Sequence, residues 1–588
     1  MDKYKWDLTK LFKNDEEFNK SIDKVNSLLN EIVKYKGKIF ESSNTLLEFL
    51  KLDTEIDMLT ERIYIYAYLG YYDDMSNEDF LQKKEKANNI MNKSSSIRTF
   101  VTPEILSNDY EEVQKLLSED KELEKYRFAF EKIFRRKEHI LSEQEELLLS
   151  NVSETFTTSR DAFNALNNVD IKLGTIKDED GKNTELTSSN YGRFITSINR
   201  NVRKNAFKKD NKYYENHINT LSALYAGKVK TNAFLAKTRK YNSILEMYLF
   251  SDKVSTKLYE NLIKITNKNT KYLKEYYKLK GKKLGYKLHL YDTYANISSM
   301  PKKNIPYEDG IDIINKALTP LGEEYLKEFN RLLNNNAVDV YPKKAKRSGA
   351  FEWATYGVEP YVSLNYENDI DSVSTLAHEM GHAMHSYYSN KKQDYINADY
   401  PIFLAEIAST VNEVLLSNYL IKNSTNKDEI IYYLVEFLDK FKGTVYRQTM
   451  FAEFEYIIHK KYENGEAITK DLLCKTYYDL NKKEFGGAVV VDKDIQYEWS
   501  KIPHFYSSFY VYKYATGFIS ALLIADKIEN DKNFKDKYIK FLSGGCSDYP
   551  LELLNKLGID LTDENTLDKA FQLFNEKVKL LNEYMNGD

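Results

Sequence analysis

Only nine prolines and 22 glycines punctuate 588 residues. These are about 1.5% and 4% of the chain, against usual shares of about 5% and 7%. Proline breaks helices, and glycine supplies the left-handed backbone of tight turns. A chain so poor in both turns rarely and must run in long helices. Sandwiches and propellers, which need turn signals about every 8–12 residues, are excluded. The expected fold class is mostly α.

The apolar pattern agrees. Segments 17–35, 46–72 and 111–150 carry apolar residues at i, i+3, i+4 spacing. The dense charge of the third segment reads as a solvated helix face. The pattern breaks at 171–194, where three glycines and a run of Asp, Asn, Ser and Thr suggest a hairpin or loop. That break divides an N-terminal helical region, 1–195, from the remainder, 196–588. A second irregular region spans about 285–370. Within it Pro360 to Tyr366 reads as a strand leading into a helix, after which the chain is expected to stay helical.

Charge narrows the function. There are 85 basic and 89 acidic residues, a net of −4, without the basic excess of a general nucleic-acid binder. The richest apolar stretch, FISALLIADKI, is interrupted by Asp526 and Lys527, so no membrane span is expected. The charged opening lacks the apolar core of a signal peptide, and two cysteines, Cys474 and Cys546, make no disulfide framework. A reducing, cytoplasmic location is expected. Most of the 48 tyrosines read as the codon bias of an AT-rich genome.

Three of the eight histidines fall in LAHEMGHAMHS. It contains H-E-x-x-H at His378, Glu379 and His382, a pattern that chance supplies only about 0.02 times in such a chain. On a helix, residues i and i+4 share a face. Two imidazoles there can hold one Zn²⁺, with Glu379 beside them as general base. Val373, Leu376, Ala377, Met380, Ala383 and Met384 make the apolar stripe of that helix, and Asp371 or Ser372 can cap it. Gly381 weakens the helix and suggests close approach of another backbone or a substrate. His385 lies about 10 Å along the axis from His378, too far to share the ion, and reads as packing or support.

A third ligand is needed. PIFLAEIASTVNEVLLSNYLI reads as a second amphipathic helix with Glu406 and Glu413 on its polar stripe. Spacing alone leaves Glu406 open between a zinc ligand and a solvated glutamate. A tyrosine-rich segment, 498–517, surrounds His504 with Tyr506, Tyr510, Tyr512 and Tyr514. It reads equally as oxyanion donors with a peptide-gripping wall or as a packed tyrosine-rich helix.

Taken together, these motifs resemble oligoendopeptidase F, of the thimet oligopeptidase superfamily of zinc peptidases. HEMGHAMHS and EIASTVNE carry the resemblance, supported by WDLTKLF at 6–12, KRSGAFEWATYGVEPYVSLNY at 346–366 and RQTMFAEFE at 447–455. YYDLNKKEFGG, WSKIPHFYSSFYVYKYATG and FLSGGCSDYPLELLNKLGIDL extend it nearly end to end. The resemblance implies one zinc per chain on His378, His382 and Glu406, with Glu379 as base and Glu413 holding a ligand imidazole. It implies that His504 and a tyrosine stabilise the transition state. The spacing after His504 is shorter than in thimet oligopeptidase, and the donor is expected at Tyr510, then Tyr506. It places the catalytic metallopeptidase domain at 196–588. It further implies two helical halves around a deep channel, with a small β element beside the zinc helix. The strand from Tyr361 to Tyr366 would line that channel and pair with substrate backbone. The implied substrates are short, unstructured oligopeptides cleaved internally. Oligomeric state is left open.

Two other readings compete. One is an exopeptidase releasing terminal dipeptides. The other is a non-catalytic peptide-binding protein with structural zinc; an intact Glu379 and the lack of a cysteine near the motif speak against it.

Overall fold

The computed structural model describes residues 3–298 and 303–586. Helix makes up 72% and strand 3%, as the shortage of turn-formers requires. Among the described residues no helix is long and apolar enough to cross a membrane. The strands are β1 (Thr175–Lys177), β2 (Asn183–Glu185), β3 (Val338–Asp339), β4 (Phe351–Trp353) and β5 (Tyr361–Ser363).

The chain forms two compact units, each assembled from three segments. The first unit comprises residues 3–138, 303–419 and 524–558; the second comprises 139–298, 420–523 and 559–586. A division at 195/196 falls inside the first segment of the second unit.

In the first unit, helices Asp15–Ile32, Ser43–Asp73 and Glu78–Ile97 begin at Asn14, Ser42 and Asn77, whose side chains accept first-turn backbone N–H groups. Phe18, Val25, Leu29, Ile56, Ile63 and Ile90 on their inward stripes share one core. A three-stranded sheet packs on it in the order β3-β5-β4, with β5 parallel to β3 and antiparallel to β4.

That order corrects the expectation for residues 361–366. β5 is hydrogen-bonded on both sides, so it has no free edge for a substrate. Tyr361 is 1% exposed, packs edge-on against Trp6 at 6.2 Å, and donates its hydroxyl to Asp7 O at 2.9 Å. The edge strand on this side is β4.

In the second unit, β1 and β2 pair antiparallel, with Ile176 opposite Thr184. Gly181, at φ +77°, closes their turn, so the irregular stretch at 171–194 is a hairpin. The 39-residue helix Arg200–Thr238 follows. Many tyrosines are core residues: Tyr225, Tyr259, Tyr446, Tyr477 and Tyr512 are among the largest fully buried side chains. A buried phenol needs a partner; Tyr259 donates to Ala452 O at 2.8 Å and Tyr446 to Asn269 O at 2.9 Å.

The chain does not stay helical to the end. After Phe485 it passes through bridges at Gly486 and Val489–Val490, then 3₁₀ turns at Lys493–Lys501 and Pro503–Tyr506. Regular helix resumes at Tyr512–Asn530. Gly486-Gly487, with Gly487 at φ +94°, and Pro503 break the helical run that its apolar residues suggested.

Candidate metal centre

The HEMGH helix, Ile370–Lys392, starts six residues beyond β5 at its N-cap, Asp369. Asp369 Oδ1 accepts the Ser372 N–H at 2.8 Å and the Ser372 hydroxyl at 2.7 Å. The cap is therefore Asp369, not Asp371 or Ser372; Ser372 is a donor to the cap. Val373, Leu376, Ala377, Met380, Ala383 and Met384 are each at most 1% exposed. They pull one face inward and leave His378 and His382 on its flank, half-buried.

The helix Ile402–Asn423 crosses this one. A Cβ on Gly381 would sit 2.5 Å from Ser409 Cα and 2.8 Å from Ala408 O. Asn412 Nδ2 donates to Ala377 O at 3.0 Å across the same crossing. Glycine at 381 thus lets the two backbones touch, which brings the polar stripe of the second helix over the histidines.

There His378 Nε2 and His382 Nε2 stand 3.2 Å apart. Glu406 Oε2 lies 3.5 Å from the first and 3.6 Å from the second. Among the described residues this is the cluster of His, Cys, Asp and Glu whose donor atoms converge tightly enough to hold a metal ion. Tetrahedral ligands about 2.0–2.1 Å from Zn²⁺ stand about 3.3–3.4 Å from one another. The observed triangle has that size. Two imidazole nitrogens facing each other at this range repel unless a cation or proton lies between them. The donor set, two neutral imidazoles and a carboxylate, suits zinc with a fourth position left open.

The far sides of both rings are anchored. Glu413 Oε1 lies 3.2 Å from His378 Nδ1, a contact that keeps Nδ1 protonated and Nε2 free as an acceptor. His382 hydrogen-bonds the backbone of Ala405. The two ring pKa values move apart. Burial alone would lower His378, but Glu413 and the neighbouring carboxylates outweigh it and raise it. Burial and the His378 charge push His382 down to about 3. Glu379, also buried, is pushed up to about 7 by desolvation, against the pull of His378 and with the push of Glu406 and Glu413. His385 is fully buried, stacked on Tyr400 at 3.7 Å between ring centroids, and takes no part in the donor triangle.

The other expected site residues lie in the second unit, on the 3₁₀ turn Pro503–Tyr506 and the loop that leads into the helix Tyr512–Asn530. His504 lies within the 3₁₀ turn Pro503–Tyr506, and its Nε2 is 3.4 Å from the Tyr514 hydroxyl. Tyr510 packs edge-on against Tyr514 at 5.4 Å. Tyr506 is different: it is buried and stacks on Phe163 at 4.4 Å, within a core that includes Leu173 and Ile176. His504, Tyr510 and Tyr514 form one cluster; Tyr506 belongs to the core beneath it.

The profile of peptidase family M3 matches residues 194–573, and that of oligopeptidase F matches 104–172. The chain belongs to peptidase family M3. Within M3 it is similar to oligopeptidase PepF of Bacillus subtilis, 40% identical over 99% of this chain and 87% of that protein. An oligoendopeptidase F homolog of Borreliella burgdorferi is also 40% identical, over 97% of this chain and 96% of that one. The solved oligoendopeptidase F of Enterococcus faecium is 32% identical, covers 98% of this chain and 100% of its own, and superposes with a TM-score of 0.74. A structure from Chlamydophila abortus, 34% identical, reaches 0.93 over 99% of this chain and 98% of that one. M3 membership makes the protein an enzyme of a metallopeptidase family acting on oligopeptides.

Proposed function

We propose that this M3 peptidase is a zinc endopeptidase that hydrolyses internal bonds of short, unstructured oligopeptides. The observation that carries the reading is the convergence of His378 Nε2, His382 Nε2 and Glu406 Oε2 beside a buried Glu379. These residues would hold one Zn²⁺, which when bound supplies the Lewis acidity that acidifies water and polarises the scissile carbonyl.

The chain's own groups do the rest. Glu379, held near neutrality by burial, takes a proton from the attacking water and returns it to the leaving amine; a base poised near the working pH does both efficiently. Glu413 fixes the His378 ring so that its Nε2 lone pair stays presented. As the family resemblance implies, His504 with Tyr510 or Tyr514 would donate to the developing oxyanion. The edge strand β4 offers unpaired backbone groups to an extended peptide, which favours unstructured substrates. The free thiols Cys474 and Cys546 suit a reducing cytoplasm.

The test is an internally quenched oligopeptide blocked at both ends, with metal content measured on the same sample. Cleavage that needs zinc and is lost in Glu379→Gln, while about one zinc stays bound, supports the reading. Cleavage only of peptides with free ends would support an exopeptidase. Undiminished cleavage by Glu379→Gln would remove Glu379 from the chemistry.

A further inference from the structure

Beside the HEMGH helix, within the first unit, lies a cavity of about 610 Å³, in the size range of ligand pockets. Glu61, Glu352 and Asp399 line it with Tyr64, Trp353 and Tyr395, and among the described lining residues there is no Lys, Arg or His. One wall ends at Ala405, the neighbour of the metal donor Glu406.

Strand β4 accounts for the least ordinary of these carboxyls. Phe351 packs on Tyr72 at 5.6 Å and Trp353 on Tyr64 at 5.8 Å. Alternation along a strand sends the residue between them to the opposite face. Glu352 therefore points toward Ser386 and Glu379 of the HEMGH helix. Its Oε1 is buried and, among the described residues, has no hydrogen-bond partner. A buried carboxyl oxygen without a donor is costly, and functional sites are where such costs persist.

The other two carboxyls also lack a full counter-charge. Glu61 accepts from neutral donors, the Tyr395 hydroxyl at 3.0 Å and Thr355. Asp399 accepts the Tyr400 N–H at 2.9 Å. Its cationic neighbour, Lys132, donates to Cys546 Sγ at 2.9 Å. Burial raises all three above the ordinary carboxylate range, Glu352 to about 8. Tyr64, Trp353 and Tyr395 also line the cavity, and aromatic rings can attract an organic cation.

We propose that this cavity is a substrate subsite for an ammonium or guanidinium group of the oligopeptide, with Glu352 as the carboxylate that sets the preference. The inference rests on the peptidase reading above and adds to it the chemistry of the substrate. The cation is a Lys or Arg side chain, or the free N-terminal ammonium.

Quenched peptides of one length test it, with Lys, Arg, norleucine, Gln or Glu scanned through each position, in acetylated and free-amine sets. The readout is the ratio of kcat/KM for basic over neutral peptides, so that any general loss of activity cancels. Wild-type enzyme should favour a basic residue at one position by about tenfold or more. Glu352→Gln should flatten that ratio, and Glu61→Gln, a milder change at the rim, should reduce it. A preference confined to the free-amine set identifies the N-terminal ammonium instead of a side chain. Cleavage without any basic preference, or a preference unchanged in both variants, overturns the subsite while leaving the peptidase standing. No cleavage of any peptide by zinc-loaded enzyme overturns both.

Discussion

Gly381 touches the backbone at Ser409: a Cβ on the glycine would lie 2.5 Å from Ser409 Cα. Gly381→Ala gains up to about 1 kcal/mol of helix propensity. It must also drive two buried helix backbones apart, and overpacking costs about 1–3 kcal/mol. The clash should win, because its partners are main-chain atoms that cannot rotate away. The variant should unfold at lower denaturant and bind zinc more weakly, since the same crossing places Glu406 over the histidines. Unchanged zinc affinity in a chelator competition would show that the crossing does not set the donor triangle.

Glu413 is expected to act on metal binding through His378. Glu413→Ala removes the acceptor 3.2 Å from His378 Nδ1, and loss of such an anchor weakens metal binding about 10–100-fold. Glu413→Gln keeps an acceptor oxygen and should fall between the two. Competition with a coloured chelator measures both; equal affinity across the three proteins would mean the ring is held by packing alone.

His504 and Tyr514 should separate from the metal ligands in their effects. Removing one oxyanion donor costs about 10²–10³ in kcat. His504→Ala should show a loss of that order with zinc stoichiometry unchanged, and Tyr514→Phe a smaller one. Tyr506→Phe should alter stability more than kcat, because Tyr506 packs on Phe163 within the core. A larger kcat loss in Tyr506→Phe than in Tyr514→Phe would reverse the assignment.

Glu455 makes stability depend on pH. It is fully buried, accepts the Phe509 N–H at 3.0 Å, and burial lifts it from 4.5 to about 8. A carboxyl whose folded pKa is raised binds its proton more tightly when folded. Its contribution is complete below about 4.5 and is lost as pH rises through about 8. Wild-type protein should therefore lose denaturant resistance relative to Glu455→Gln between those limits. Parallel stability profiles for the two proteins across that range would show that Glu455 titrates normally.

Two corners of the donor triangle were legible because their spacing is local. His378, Glu379 and His382 lie within one helical turn, so spacing alone places them together. Glu406 is 24 residues further on and needed the family resemblance, because no periodicity says which polar residue of a second helix faces the first. Glu352 was not singled out, although a lone carboxylate between Phe351 and Trp353 on an alternating strand was a readable signal. Tyr361 misled in the opposite direction: the resemblance offered its strand to substrate, but that strand is the middle of a sheet, because β3 pairs with it from 24 residues upstream.

The amino-acid sequence by itself determined a helical chain and the turn that pairs His378 with His382, since proline and glycine scarcity and i, i+4 spacing act over a few residues. Tertiary structure alone decided the interleaving of two units from six segments, the Gly381–Ser409 contact that completes the donor triangle, and the acidic cavity beside it. Each of these joins residues far apart in the chain. Their proximity is set by how whole faces pack, which no local pattern specifies.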